Sequence, residues 1–193
     1  LLPVSKTKPP SMVDEAYQAG YRLFGENKVQ DALAKSELMD ADHPGLEWAI
    51  IGGLQTNKAK YVARFAAEFQ ALDSLKVAHE LDKRLQQEGH QLRVLVQVNS
   101  SAEPQKSGIA PDEAVEFARE LAAFDSLDVR GLMTVALNSP DQQAVADCFD
   151  LVAATQEKLR QEAGDISSWS ELSMGMSGDL EIAIAHGSTQ VRI

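Results

Sequence analysis

RVLVQVNSSAEPQKSGIAPDEAVEFARELAAFDSLDVRGLMTV, residues 93–135, holds one complete unit of the fold. It opens with a β-branched run, Arg93–Asn99, and passes through the polar stretch Lys106-Ser107-Gly108. Pro111-Asp112-Glu113 then carries helix-start chemistry, a proline at the first helical position with acidic residues behind it. Ala114, Phe117, Leu121 and Phe124 follow at the spacing that lines one face of a helix. A second β-branched run, Asp128–Val135, closes the unit. A strand, a helix and a second strand in succession form a right-handed crossover between parallel strands.

Working outward, the same alternation fills the chain. The other candidate strands are Leu1–Ser5, Arg22–Glu26, Glu47–Gly52, Glu68–Asp73, Trp169–Met174 and Thr189–Ile193. Helical stripes lie between them, as in Val77, Leu81 and Leu85, or Val145, Cys148, Phe149 and Val152. Ser11, with Glu15 behind it, is the expected start of the first helix. Strands alternating with helices imply an α/β protein with a parallel sheet. Eight such runs point to a (β/α)8 TIM barrel in one domain, residues 1–193. A doubly wound open sheet is the alternative, but no Gly-x-Gly-x-x-Gly turn follows the first run. Both ends of the sequence fall inside apolar runs. The expectation is a barrel truncated at both ends, lacking its N-terminal helix and its last helix.

Composition narrows the function. The net charge of −11 disfavours nucleic acid as a general partner, although a local basic pocket for one small anion stays compatible with it. Cys148 is the only cysteine, which leaves no disulfide framework and fits a reducing, cytoplasmic setting. No segment reaches the roughly 18 consecutive apolar residues of a membrane helix, so no membrane partner is expected.

In barrels of this class the chemistry sits at the C-terminal ends of the strands. That rule selects Lys6, Thr7 and Lys8; Asn27 and Lys28; the stretch from Gly52 to Lys58; Asn99 and Lys106; Met133 and Thr134; the loop Ser173-Met174-Gly175-Met176-Ser177-Gly178-Asp179; and Arg192. The glycine–serine loop feeds a helix expected near Asp179. It reads either as an anion site built from backbone N–H groups and the Ser177 hydroxyl, or as a plain helix cap. Lys6 reads either as a solvated charge or as an amine at a pocket mouth, where a partly desolvated lysine can attack a carbonyl. An amine and a phosphate site at one mouth together suit a phosphorylated aldehyde. Glu26 is either an acid–base group or a satisfied strand-end carboxylate. His43, His79 and His90 read as solvated, His186 as a helix C-terminal cap, and Trp48 and Trp169 as packing.

The ordered segments VSKTKPPS, FGEN, IGGLQTNK, VLVQVN, KSGI, RGLMTV, SMGMSGDLEIAIAHGST and VRI resemble the pyridoxal phosphate homeostasis protein family across nearly the whole chain. The resemblance implies the fold-type III barrel shared with the N-terminal domain of alanine racemase. It implies pyridoxal 5'-phosphate as cofactor, held as a Schiff base on Lys6 of the V-S-K motif. It places Asn27 beside the cofactor, Ser177 with Met174, Gly175 and Met176 at the phosphate, and Arg192 close to the cofactor. The family continues V-R-I with further residues that help to hold the phosphate, and this sequence stops at Ile193. The implied role is a non-catalytic carrier, a monomer that maintains vitamin B6 homeostasis with apo-enzymes as recipients. The alternatives are an amino-acid racemase of the alanine racemase type and a scaffold with a vestigial pocket. Racemisation needs a second acid–base residue opposite the lysine, and Tyr17, Tyr21 and Tyr61 all fall away from the expected mouth.

Overall fold

The β-branched runs pair as parallel strands in a computed structural model, which describes residues 1–101, 103, 107–164 and 167–193. Lys106 of the sequence reading lies outside these residues. A single parallel sheet runs in the order β1 (Leu23–Glu26), β2 (Glu47–Ile50), β3 (Glu68–Leu72), β4 (Leu92–Gln97), β5 (Leu127–Met133) and β6 (Glu171–Ser173). Around it lie α1 (Pro10–Gln18), α2 (Val29–Met39), α3 (Ala59–Phe65), α4 (Leu75–Glu88), α5 (Ala114–Leu121), α6 (Gln142–Glu162) and α7 (Leu180–Ala185).

The two ends of the chain close the ring. Val4 bridges Gly25 of β1, Leu2 bridges Arg192, and Gln190 bridges Ser173 of β6, all in parallel. The eight expected strand positions are therefore occupied, six as regular strands and two as bridged segments. Proline explains part of the difference. Pro3 accepts from the Gly25 N–H at 2.8 Å, but it has no N–H of its own to extend the ladder towards β1.

Packing follows the sequence periodicity. All five residues of β3 are buried, as a strand covered on both faces requires. Val77, Leu81 and Leu85 turn inward from α4, and Val145, Cys148, Phe149 and Val152 from α6. Trp48 and Trp169 are fully buried packing residues. Truncating a side chain such as Leu81 would cost about 2–5 kcal/mol.

Helix starts differ in detail from expectation. α1 begins at Pro10 rather than Ser11, because two prolines supply the φ of the first turn without needing a hydrogen-bonded N–H. Pro111–Glu113 form a 3-10 turn leading into α5, with the Glu113 carboxylate accepting from the Ala110 N–H at 3.4 Å.

Candidate functional site

Strand direction puts the first residues after each strand on one mouth of the barrel. There, Lys6, Asn27, Met176, Ser177 and Arg192 line a single cavity of about 470 Å³, with Val135 and Ile51 among its apolar walls. These five come from four different strand ends, and they are five of the seven residues singled out for the cofactor. A neighbouring recess of about 650 Å³ shares Val135 and Met176 with it.

Lys6 leaves the first bridged segment with its backbone pinned on both sides. The Ser5 N–H donates to Gly25 at 2.9 Å, and the Lys8 N–H donates back to the Ser5 carbonyl at 3.0 Å. Thr7 between them has φ of 63°, a left-handed conformation that costs a β-branched residue energy. Local strain of this kind is commonly held at functional sites by the surrounding structure. Among the described residues the Lys6 amine has no hydrogen-bond or ion-pair partner. It therefore faces the cavity uncommitted.

Arg192 is the opposite case. Its side chain is buried, donating from Nη1 to the Ser173 carbonyl at 2.7 Å and to Ser173 Oγ at 2.9 Å, and from Nη2 to the Thr134 carbonyl at 2.8 Å. Burial lowers its pKa to about 10, with Asp179 opposing, so it remains a cation at neutral pH. The cavity thus has an exposed amine at its rim and a buried cation in its wall, in a protein of net charge −11.

The loop after β6 divides its residues between structure and site. Met174 is completely buried and donates its N–H to Gln190 at 3.0 Å, so it belongs to the core. Gly175 takes φ of 95° and accepts the Arg192 N–H at 2.9 Å. A Cβ there would lie 2.5 Å from Ala183 Cβ, so only glycine lets the turn close against α7. The Met176 N–H is already taken by Asp179 Oδ1 at 2.6 Å. Ser177 and Gly178 follow, and Ser177 lines the cavity with Lys6. Asp179 is the N-cap residue of α7 by position, but its side chain accepts from Met176 and not from the first turn of the helix.

Residues outside the expected set support this mouth. Glu26 is buried, with Oε1 accepting from Ser5 Oγ at 2.7 Å and pairing with Lys35 of α2, so it is a satisfied carboxylate on that oxygen. Lys35 also donates to the Ser5 carbonyl at 2.6 Å. The sequence carried one signal for it: Lys35 sits on the inward stripe of Val29, Ala32, Ser36 and Met39, where a lysine needs an internal anion. His43 corrects the solvated reading, since its two ring nitrogens lie 2.8 Å from the Met39 carbonyl and 2.8 Å from Asp14. His186 caps α7 as expected.

Comparison with known proteins agrees with the fold. The profile of the alanine racemase N-terminal domain family matches residues 1–193. The pyridoxal phosphate homeostasis protein of Vibrio cholerae is 43% identical, covering 100% of this chain and 81% of that protein. Its namesake in Escherichia coli is 41% identical, covering 100% and 82%. The structure of PipY from Synechococcus elongatus with PLP bound superposes with a TM-score of 0.91 at 33% identity, over 99% of this chain and 88% of that one. An alanine racemase of Clostridium difficile matches at a TM-score of 0.81 but 13% identity, over 99% of this chain and 50% of the racemase, a likeness of fold alone. A parallel barrel with an amine, a hydroxyl and a buried guanidinium around one cavity, together with these matches, places the chain in the alanine racemase N-terminal domain family, among the pyridoxal phosphate homeostasis proteins.

Proposed function

We propose that this chain binds pyridoxal 5'-phosphate and serves intracellular vitamin B6 homeostasis as a carrier rather than as an enzyme. The observation that carries the reading is the convergence of Lys6, Asn27, Ser177 and Arg192 on one cavity of about 470 Å³. That volume lies within the roughly 300–1,000 Å³ of small-molecule sites. Pyridoxal phosphate supplies an aldehyde that an amine can capture and a phosphate that needs donors. The residues present fit both demands. Lys6 Nζ offers the uncommitted amine, while the Ser177 hydroxyl and the backbone N–H groups after Met176 offer donors to the phosphate. Asn27 flanks the ring with an amide. Arg192, a group with donors only, holds the far wall of the cavity.

The racemase reading asks for a second proton-transfer group opposite Lys6. Tyr17 is engaged elsewhere, its hydroxyl donating to the Pro44 carbonyl at 2.9 Å. Tyr61 lies on α3, Tyr21 precedes β1, and neither lines the Lys6 cavity. Tyrosine therefore gives no support to racemisation. The relatives' printed name, homeostasis protein, supports the carrier. Recipients would be apo-enzymes that take up the same cofactor, and the carrier would work as a cytoplasmic monomer. No helix among the described residues is long and apolar enough to cross a membrane.

Titration with pyridoxal phosphate, followed by absorbance, tests the proposal. The parent protein should develop the long-wavelength band of cofactor joined to an amine, and Lys6→Ala should lose it. A parent without the band, or a band unchanged in Lys6→Ala, overturns the reading. Turnover of L-alanine to D-alanine above the rate of free cofactor would replace it with the racemase.

A further inference from the structure

The hydrogen-bond partners of the buried Arg192 guanidinium are oxygens of Ser173 and Thr134, none of them a carboxylate. Asp179, in the loop after β6, is the carboxylate whose charge favours the cation, without touching it through a hydrogen bond. An ordered chain of hydrogen bonds leads from the guanidinium through the barrel to a second carboxylate. Arg192 Nη1 donates to Ser173 Oγ at 2.9 Å, and Ser173 Oγ donates in turn to Gln70 Oε1 at 2.7 Å. Gln70 Nε2 then donates to Glu68 Oε1. Each donor points the same way, from guanidinium to carboxylate.

All four residues are buried: Arg192 is 4% exposed, Ser173 and Gln70 0%, and Glu68 4%. Glu68 opens β3 at the N-terminal mouth of the barrel, whereas Ser173 ends β6 at the C-terminal mouth. The chain therefore spans the lumen. Gln190 braces it, its Oε1 accepting from Gln70 Nε2. Burial raises the pKa of Glu68, and the hydrogen bond from Gln70 opposes that shift. The other charges around the carboxylate are Arg93 on β4, whose Nε lies 3.8 Å from Oε2, and the carboxylates of Glu47 on β2 and Glu171 on β6.

We propose that Glu68 anchors the far end of this chain and acts as a positioning residue for Arg192, setting the guanidinium's orientation towards the cofactor cavity through Gln70 and Ser173. The assignment of the cavity to pyridoxal phosphate is the reading on which the second half of this claim rests. A charged acceptor at the end of the chain orients each link, so that the Ser173 hydroxyl proton points to Gln70 and its oxygen stays open to Nη1 of Arg192. Linked hydrogen bonds of one polarity also reinforce one another.

Two measurements test this separately. The first, on ligand-free protein, follows the Arg192 guanidinium protons by NMR in the parent, in Ser173→Ala and in Glu68→Gln, which keeps an acceptor for Gln70 but removes the charge. Restricted Nη rotation in the parent and faster rotation in both variants is the expected result. Unchanged rotation overturns the chain whatever the cavity binds. The second measures pyridoxal phosphate dissociation constants for the parent, both single variants and the double variant. Each single change should weaken binding on the order of tenfold, with the double variant no weaker than the worse single. Glu47→Gln, which shares Arg93 at 2.6 Å but stands off the chain, should bind like the parent. Equal affinity in Glu68→Gln, or losses that multiply in the double variant, contradicts the coupling. A parent that fails to bind overturns the cavity assignment instead, and the NMR result still decides the chain. If Ser173→Ala does not fold, Glu68→Gln against Glu47→Gln decides both halves.

Discussion

The side-chain amine of Lys35 donates to the carbonyl oxygen of Ser5 at 2.6 Å, one peptide unit before Lys6. The same amine pairs with Glu26, whose Oε1 also accepts from Ser5 Oγ at 2.7 Å. A buried ion pair thus fixes the backbone that presents Lys6. Lys35→Met leaves the Glu26 carboxylate buried without its cation, which should cost about 3–5 kcal/mol. Adding Glu26→Gln to that variant should restore most of the loss, because no uncompensated charge then remains. Urea denaturation of the parent and the three variants measures this. A double variant as unstable as Lys35→Met would show that the pair is not the source.

Ser177 tests the phosphate end of the proposed site. Removing one hydrogen bond to a charged group costs about 1.5–3 kcal/mol. Ser177→Ala should therefore weaken pyridoxal phosphate by roughly tenfold or more, while pyridoxal, which lacks the phosphate, should bind the variant and the parent equally. Parallel absorbance titrations with the two ligands make the comparison. An equal loss for both would place Ser177 elsewhere than at the phosphate.

His43 and Asp14 staple α1 to the segment after α2, with Nε2 2.8 Å from Oδ1. The Asp14 hydrogen bond, followed by that to the Met39 carbonyl, raises the His43 pKa above its ordinary 6.5. Contact with His43 lowers the Asp14 pKa below its ordinary 3.8. A raised histidine contributes stability that is complete below 6.5 and lost as pH rises through the folded value. A lowered carboxylate contributes above 3.8 and loses it as pH falls through the folded value. The stability gap between the parent and His43→Gln should therefore be widest between 3.8 and 6.5 and close on the alkaline side. Melting temperatures across pH test the sign, and a gap that grows above neutrality would contradict it.

The sequence made the barrel legible because strand and helix periods differ and alternate without interruption from Leu2 to Arg192. It overstated the outer strands, where Pro3 removes a donor and only bridges remain. The mouth was legible for the same reason: in a parallel barrel, the residue just past a strand lies on the functional face, as Lys6, Asn27 and Ser177 do. Met174 belongs to the core and not to that loop, because it directly follows β6 and its N–H is still held by Gln190 of the next segment. The Ser5–Glu26–Lys35 cluster and the path from Arg192 to Glu68 were not legible. Each joins residues 21 to 103 positions apart at some step, contacts that exist only once the barrel closes.

The central claim is that Lys6 is the amine that captures the cofactor. Borohydride treatment of the protein mixed with pyridoxal phosphate, followed by peptide mass mapping, tests it most directly, because reduction fixes the ligand to whichever amine holds it. The account predicts a stoichiometric label on the peptide containing Lys6, with Lys8 unlabelled. A label on Lys8 or another lysine in place of Lys6, or no label at all, would contradict it.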